Sequence, residues 1–289
     1  MKLFAVIGHP IGHSLSPTLH GKAFSLLGLD CTYEAVDVAP ASLASTVRHL
    51  VARGFSGFNV TTPLKEEMLK LVDEVSDEAS MVGAVNTVSV VNERLIGDNT
   101  DVYGVSASLE PFRKDIEGKP VLLLGAGGSA RATLFALSHG FRCSEIVVAN
   151  RTESRARDLS KHFRQLAGGA VINTAPLSNK SLSSIVDRAA LVVNTTSVGM
   201  SPLIDQSPVG DEIRFCQNQI VMDLIYTPLK TKFLTLASKC GARTISGLEM
   251  FLHQGARSFE LWLGKQMPID QIRPIIVDEL SSLQKNDSN

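Results

Sequence analysis

The 289-residue sequence predicts an α/β fold in two domains, and three observations carry that prediction. Short β-rich apolar runs alternate with helical stretches along most of the chain. A glycine-rich turn, GAGGSA, joins an apolar run to an amphipathic stretch in the middle of the sequence. Between the two β/α series, residues 111–120 form a charged segment bounded by prolines, the pattern of a joint. The length is that of one large domain or two ordinary ones.

The elements follow in order. Residues 2–7 read as a strand ending at Gly8. Ser16-Pro17 marks a helix start, with Ser16 as N-cap and Gly28 closing the helix. Residues 32–38 are the second strand, followed by a helix over 42–53. A third strand at 57–60 opens through Thr62-Pro63 into a helix over 64–72. Residues 86–91 and 94–97 resemble a hairpin, and a further helix begins near Asp101. Beyond the joint, 121–124, 145–149, 191–194, 220–224 and 243–245 read as strands separated by helices, an open parallel sheet. From Gly247 onward the chain is mainly helical and ends in a polar tail, QKNDSN, expected to fray.

Composition narrows the function classes. Hydrophobic residues make up 44% and charged residues 20%, which suits a buried core rather than disorder. With 28 Lys+Arg against 29 Asp+Glu, the net charge of −1 gives no pull towards nucleic acid or an anionic membrane. No apolar run approaches the roughly 20 residues of a membrane span. The opening MKLFAVIGHPIGHS breaks into Gly, His and Pro too early for a secretory leader. Cys31, Cys143, Cys216 and Cys240 are scattered, with no CxxC and no zinc-finger spacing, as expected of reduced thiols in a cytoplasmic protein. The residues do not define an oligomeric state, and a homodimer stays open.

Gly125, Gly127 and Ala130 fall on the G-x-G-x-x-G/A spacing between strand and helix. The first glycine permits the tight turn, the second lets backbone approach a pyrophosphate, and the small third residue lets helix and strand pack closely. That context predicts a Rossmann-like dinucleotide site. An NAD site usually places an acid near the end of the next strand. Here that strand runs into Asn150, Arg151 and Thr152, with Arg155 a turn later. Two guanidiniums suit a 2′-phosphate, because arginine binds phosphate oxygens bidentately, so the cofactor reads as NADP.

The N-terminal half carries a set of polar residues at strand ends. Lys65 is expected near the third position of a helix, where a cation opposes the macrodipole and is suited to proton transfer. A solvated lysine balanced by Glu66 and Glu67 is the other local reading. Asp101 stands at a second helix start, where it could simply compensate the dipole. Ser14, Ser16, Asn59, Thr61 and Asn86 are each ordinary turn or cap residues singly. Together they suit a small polyhydroxylated, carboxylated ligand. His9 and His13 have i, i+4 spacing, but the intervening Pro-Ile-Gly breaks any helix, and no metal site is expected.

In shared order, GHPIGHSLSPTLH, GFNVTTPLKEE, GAVNT, GDNTD, LLGAGGSAR, ANRTESR, NTTSVGM, MDLIYTP and GLEMFLHQG resemble the shikimate dehydrogenase family over essentially the whole chain. The resemblance implies NADP-linked, reversible interconversion of 3-dehydroshikimate and shikimate, a step towards aromatic amino acids. It implies a substrate domain at 1–110 completed by helices in 247–289, a Rossmann-like NADP-binding domain at 111–246, and a cleft between them. Lys65 and Asp101 match the family's catalytic pair. By the same match, Ser14 and Ser16 meet the substrate carboxylate, with Thr61, Asn86, Asp101, Tyr226 and Gln254 around the ring and Asn59 close by. Gly125, Ala126, Gly127, Gly128, Ser129, Asn150, Arg151, Thr152 and Arg155 match cofactor contacts, and Asp77, Leu224 and Gly247 occupy further positions that approach NADP. The chain departs from the usual pattern at Thr62, at Val102 and Tyr103, and at Glu249, which leaves breadth towards quinate or an aminated analogue open. A non-catalytic NADP-binding sensor and a folate-linked dehydrogenase of similar shape are the other readings.

Overall fold

The structure, a computed structural model, describes residues 1–166 and 169–286. The chain divides into two compact units: Met1–Gly104 with the residues from Leu252 onward, and Val105–Phe251. Both divisions fall inside helices rather than after residues 110 and 246, because one continuous helix can pack its first turn in one unit and its remainder in the other.

The first unit begins β1 (Lys2–Gly8), α1 (Ser16–Leu26), β2 (Cys31–Asp37), α2 (Leu43–Ala52), β3 (Phe55–Val60), α3 (Lys65–Met68), β4 (Glu74–Val75), α4 (Asp77–Val82), β5 (Thr87–Val91), β6 (Arg94–Asp98) and the start of α5 (Thr100–Leu109). The second unit carries α6 (Arg113–Ile116), β7 (Pro120–Leu124), α7 (Gly128–Phe135), β8 (Glu145–Asn150), α8 (Glu153–Arg164), β9 (Val171–Pro176), α9 (Asn179–Arg188), β10 (Leu191–Asn194), β11 (Ile220–Asp223), α10 (Lys232–Lys239) and β12 (Arg243–Ile245). Then α11 (Gly247–Leu263) and α12 (Ile269–Asn286) end the described chain. Of the tail expected to fray, the first three residues continue α12 and the last three lie outside the described residues.

In the first unit the strands lie in the order β2-β1-β3-β5-β6-β4. β1 pairs in parallel with β2 and β3, whereas β5 runs antiparallel to both β3 and β6. The β5–β6 hairpin turns at Asn92 and Glu93, both at positive φ, a backbone state that matches the twist of a tight hairpin. In the second unit all five pairings are parallel, in the order β12-β11-β10-β7-β8-β9. Counted from β7, that is the doubly wound 3-2-1-4-5-6 order, with its switch point between β7 and β10.

Several local expectations are corrected. Ser16 is the first helical residue of α1 rather than its cap; Leu15 takes that position, and Ser14 Oγ accepts from the Ser16 N–H at 3.3 Å. The helix expected over 64–72 is only the single turn α3, because the chain leaves it to pair along the hairpin. The Asp73 N–H donates to the Leu95 carbonyl at 2.9 Å, and the Asp73 carboxylate accepts from the Leu95 N–H at 2.7 Å. β9 was not expected; as an edge strand its inward face is supplied by few apolar side chains, so its sequence carries a weak alternation.

Helix α11 docks on the first sheet through Trp262, the only tryptophan of the chain. Its indole stacks on Phe4 at 4.8 Å and donates to the Val88 carbonyl at 3.0 Å. Gly57 makes room for it, since a Cβ there would run into the indole and the Val88 carbonyl. Beside it lies His20, wholly buried, stacked on Tyr33 at 4.4 Å and flanked by Phe24, Phe259 and Trp262. Among the described residues neither His20 ring nitrogen has a hydrogen-bond partner, and burial pushes its pKa down from 6.5 to about 3. The unfolded chain therefore takes up a proton below 6.5 that the folded chain refuses until about 3. The His20 contribution is complete above that unfolded value and is lost as pH falls towards the folded one. Replacing His20→Phe should stabilise the first unit by about 1–3 kcal/mol near neutrality and flatten its acid-side loss. Urea unfolding followed by Trp262 emission between pH 4 and pH 7 checks this; an unchanged or steeper acid-side loss would count against it.

Candidate functional site

The first sheet reverses its winding between β1 and β3, so the segments leaving the carboxyl ends of those two strands lie side by side. Backbone bonds hold them there: the Thr61 N–H donates to the Ile7 carbonyl at 2.9 Å and the His9 N–H to the Thr62 carbonyl at 3.1 Å. Ser14 and Ser16 follow β1; Thr61 and Lys65 follow β3. Because β5 returns antiparallel, Thr87 pairs with Asn59 on one side and Asp98 on the other. The start of β5, the end of β3 and the end of β6 therefore converge on the same edge.

There Lys65 Nζ lies 2.6 Å from the Asp101 carboxylate, with Lys65 only 8% and Asp101 3% exposed. Lys65 is the first residue of a four-residue helix, not the third of a long one, so its environment is set by Asp101 rather than by a macrodipole. The solvated-lysine reading is excluded by the same burial. The second oxygen of Asp101 accepts from Asn86 Nδ2 at 2.7 Å. Asn86 is itself oriented, its Oδ1 accepting from the Thr100 N–H at 2.7 Å. Asn99 anchors the turn, donating to the Ala84 carbonyl at 2.7 Å and accepting from the Asp101 N–H at 3.2 Å. An ammonium beside an oriented carboxylate can give up a proton and recover it.

The other expected residues divide between the units. Gln254, half-buried on α11, belongs to the first unit, as does Asp77, exposed in the first turn of α4. Tyr226 belongs to the second unit, where its ring stacks on Phe251 at 4.4 Å. Asn59 is bonded within the first unit. Its Oδ1 accepts from the Tyr33 hydroxyl at 2.7 Å, and its Nδ2 donates to Thr87 Oγ1 at 3.0 Å and Ser258 Oγ at 2.9 Å. Asn59 is thus held by protein partners on both its amide atoms, and its Oδ1 keeps a second lone pair. His9 Nδ1 lies 3.1 Å from the Asp37 carboxylate, a partner supplied by the neighbouring strand. No three His, Cys, Asp or Glu among the described residues are grouped to hold a metal.

In the second unit, the turn after β7 stands at the switch point. Gly125 has φ +113°, and a Cβ there would collide with Thr195 Oγ1, which donates to the Leu124 carbonyl at 2.7 Å. Gly127 caps α7 without a side chain, and a Cβ on it would meet nothing within 4 Å. Gly128 and Ser129 open the first turn of α7, whose amides form the kind of helix start that binds a pyrophosphate. At the tip of β8 the Asn150 amide donates to the Thr152 carbonyl at 2.8 Å, while Arg151 and Arg155 are exposed. Glu153 pairs with Arg157, and the exposed guanidiniums of Arg151 and Arg155 have the chemistry a 2′-phosphate takes. Leu224 and Gly247 touch directly: Gly247 packs against the Leu224 carbonyl with no room for a Cβ. These residues fit NADP.

Thr87, Thr100 and Ser258, all buried around Asn86, and Asp223 in the second unit are polar residues that local sequence does not single out. A hydroxyl at 258 within an otherwise apolar helix face, flanked by Phe251, Gly255 and Phe259, was the available signal. Asp223 ends β11 and accepts from Asn194 Nδ2 at 3.0 Å, the Ile225 N–H at 3.1 Å and the Thr231 hydroxyl at 2.7 Å. It thereby ties the ends of β10 and β11 to the start of α10.

A dinucleotide-binding strand order in one unit and a buried lysine–aspartate pair in the other are what a two-domain nicotinamide-dependent dehydrogenase offers. Comparison with known proteins narrows that class. The shikimate dehydrogenase substrate binding domain matches residues 6–88, shikimate/quinate 5-dehydrogenase residues 108–226, and the shikimate 5′-dehydrogenase C-terminal domain residues 247–275. The shikimate dehydrogenase (NADP(+)) of Moorella thermoacetica is 44% identical, over 92% of this chain and 90% of its own. The Thermus thermophilus shikimate 5-dehydrogenase, solved with NADP(H) and shikimate, has a TM-score of 0.82 at 39% identity, covering 94% of this chain and 97% of that one. The Listeria monocytogenes enzyme, solved with shikimate and NAD, has a TM-score of 0.84 at 33% identity, covering 96% of both. The chain belongs to the shikimate dehydrogenase family.

Burial raises the Asp223 pKa from 3.8 to about 6, against the three hydrogen bonds that favour its charged form. The folded chain holds this proton to a higher pH than the unfolded chain does. The stabilisation is complete below 3.8 and is lost as pH rises through about 6. In Asp223→Asn, one oxygen can still accept from Asn194 and Ile225 while the amide donates to Thr231, and no proton is exchanged. Urea unfolding of the second unit, followed by far-UV circular dichroism from pH 4 to pH 7, should become flatter in the variant. Parallel pH profiles for both proteins would remove Asp223 as the cause.

Proposed function

We propose that this protein catalyses the reversible, NADP-linked reduction of 3-dehydroshikimate to shikimate, a step towards aromatic amino acids. The observation that carries the reading is the buried Lys65–Asp101 pair with its oriented Asn86, in a chain of this family. When bound, NADPH supplies the hydride that reduces the C3 carbonyl carbon. Negative charge then grows on the carbonyl oxygen. The Lys65 ammonium stabilises that charge and donates its proton, giving the alcohol; in the oxidative direction the neutral amine takes the proton back. Asp101 holds the amine in place, and exclusion of water strengthens the interaction.

Ser14 and Ser16 are assigned to the substrate carboxylate, and Thr61, Asn86, Tyr226 and Gln254 to its ring hydroxyls. The glycine turn from Gly125 to Ser129, with Asn150, Arg151, Thr152 and Arg155, is assigned to NADP, and Asp77, Leu224 and Gly247 to its remainder. Most of the substrate contacts then fall in the first unit and most of the cofactor contacts in the second, with Tyr226 and Asp77 the exceptions, within a cytoplasmic protein. Four unpaired cysteines, one pushed up to about 12 by burial at Cys143, are in keeping with a reducing compartment.

The deciding experiment follows reduced-nicotinamide absorbance after mixing the protein with shikimate and either NADP or NAD, and with quinate in place of shikimate. Fast signal with shikimate and NADP, slow signal with NAD and little with quinate is expected. Silence with every pair despite NADP binding would favour a sensor. Lys65→Ala should lower kcat by about 10²–10⁴-fold while KM for shikimate changes far less. Near-normal turnover at saturation with a large loss of shikimate binding would overturn the role of Lys65.

A further inference from the structure

The amide of Asn86 must point its nitrogen, not its oxygen, at Asp101, because a carboxylate only accepts. The Thr100 N–H, an obligate donor to Asn86 Oδ1, sets that direction, and a closed cluster of hydroxyls holds the amide in it. Thr87 Oγ1 and Ser258 Oγ are 2.9 Å apart, Thr87 and Thr100 hydroxyls 3.1 Å, and Thr100 and Ser258 hydroxyls 3.1 Å. Asn59, Thr87, Thr100 and Ser258 are all buried. No water or second side chain is needed to satisfy them, since one assignment serves every atom. The Ser258 hydroxyl donates to the Gln254 carbonyl at 3.0 Å, and the Thr100 hydroxyl donates to Ser258 Oγ. The Thr87 hydroxyl donates to Asn86 Oδ1 at 3.0 Å. Asn86 Nδ2 spends one hydrogen on Thr100 Oγ1 at 3.0 Å and the other on Asp101. Asn59 Nδ2 spends its two on Ser258 and Thr87.

We propose that Ser258 is a positioning residue for proton transfer, its hydroxyl fixing the Asn86 amide and thereby the Asp101 carboxylate against Lys65; this rests on the reaction proposed above. Ser258 is the one member of the cluster that comes from α11, so it also ties the helix bearing Gln254 to the strand ends bearing Asn86 and Asp101. Without its oxygen, the Thr100 hydroxyl loses its acceptor and turns to Asn86 Oδ1, 3.2 Å away, where it competes with Thr87. Asn59 then has a buried N–H with one acceptor fewer. Networks of this kind lose more than a single bond when one member is removed, because the remaining donors rearrange.

The test compares the unaltered protein with Ser258→Ala, Thr87→Val and Thr87→Ser. Ser281→Ala serves as control, since the Ser281 hydroxyl likewise back-bonds within a helix, to the Val277 carbonyl, but stands outside the cluster. Steady-state kcat and KM are measured with shikimate and NADP, alongside circular dichroism and melting. Ser258→Ala and the near-isosteric Thr87→Val should lower kcat about tenfold, with KM for NADP unchanged and KM for shikimate shifted much less than kcat. Thr87→Ser, which keeps the hydroxyl, should recover most of the rate, and Ser281→Ala should match the unaltered protein. Folded Ser258→Ala with unchanged kcat, or a rate loss in Thr87→Ser equal to that in Thr87→Val, would overturn the proposal. Should Thr87→Val fail to fold, Ser258→Ala decides alone. An unaltered chain without turnover would overturn the proposed reaction, and the positioning role with it.

Discussion

A lysine and an aspartate buried together are tolerated only when the remaining hydrogen-bonding capacity of both is met, since each ion has lost its water. That requirement governs the first unit. Asp101 needs a donor on its second oxygen, which makes Asn86 necessary; Asn86 needs its own oxygen held, which brings in the Thr100 N–H and the Thr87 hydroxyl. The strand order exists to make those neighbours. Only an antiparallel β5 between β3 and β6 sets residues 59, 87 and 98 in one row, so that the turn before β5 and the turn after β6 meet. Replacing the pair with apolar residues would be the easier way to fill such a space, which is why an ion pair here reads as chemistry rather than as a stabiliser.

Both sheets use the same device at different scales. In each, winding reverses beside the strand that opens the sheet, and the segments that leave the carboxyl ends on either side of the reversal are left free to carry function. At β1 and β3 they carry serines, a threonine and a lysine. At β7 and β10 they carry glycines and threonines, where Gly125 lets the backbone pass close to Thr195. The first set offers side-chain groups and the second mainly main-chain amides. The two units also answer acid in opposite senses. Buried His20 is kept neutral at the expense of stability in acid, and buried Asp223 holds a proton at the expense of stability towards neutrality. Each is a polar group placed among strand and helix contacts where burial outweighs the partners available.

Much of the architecture was legible before any coordinates. Short β-rich apolar runs located ten of the strands, because a strand buried on one or both faces must carry apolar side chains to meet the core. The glycine turn and the acid-free tip after EIVVA were legible for the same reason: short-range geometry and local charge decide them. β4 and β9 escaped because two residues, or an edge with little to bury, leave no pattern. The helix over 64–72 was overextended because nothing local announces that Asp73 will be captured by Leu95, a partner 22 residues away.

The site divides along the same line. Residue types and spacing identified Lys65, Asp101 and Asn86 as polar groups at strand ends, and their order in the chain pointed to the family. Whether Lys65 faced water or a carboxylate could not be decided there, since the partner lies 36 residues on and reaches it only through the strand order. Asn59, expected close to the ligand, is also tied to Tyr33, Thr87 and Ser258, the last of them 199 residues distant. Local sequence sets which elements form and which groups they offer, because turns, caps and periodicity act over a few residues. Which of those groups are satisfied by protein and which remain for a ligand is decided by packing between segments far apart in the chain.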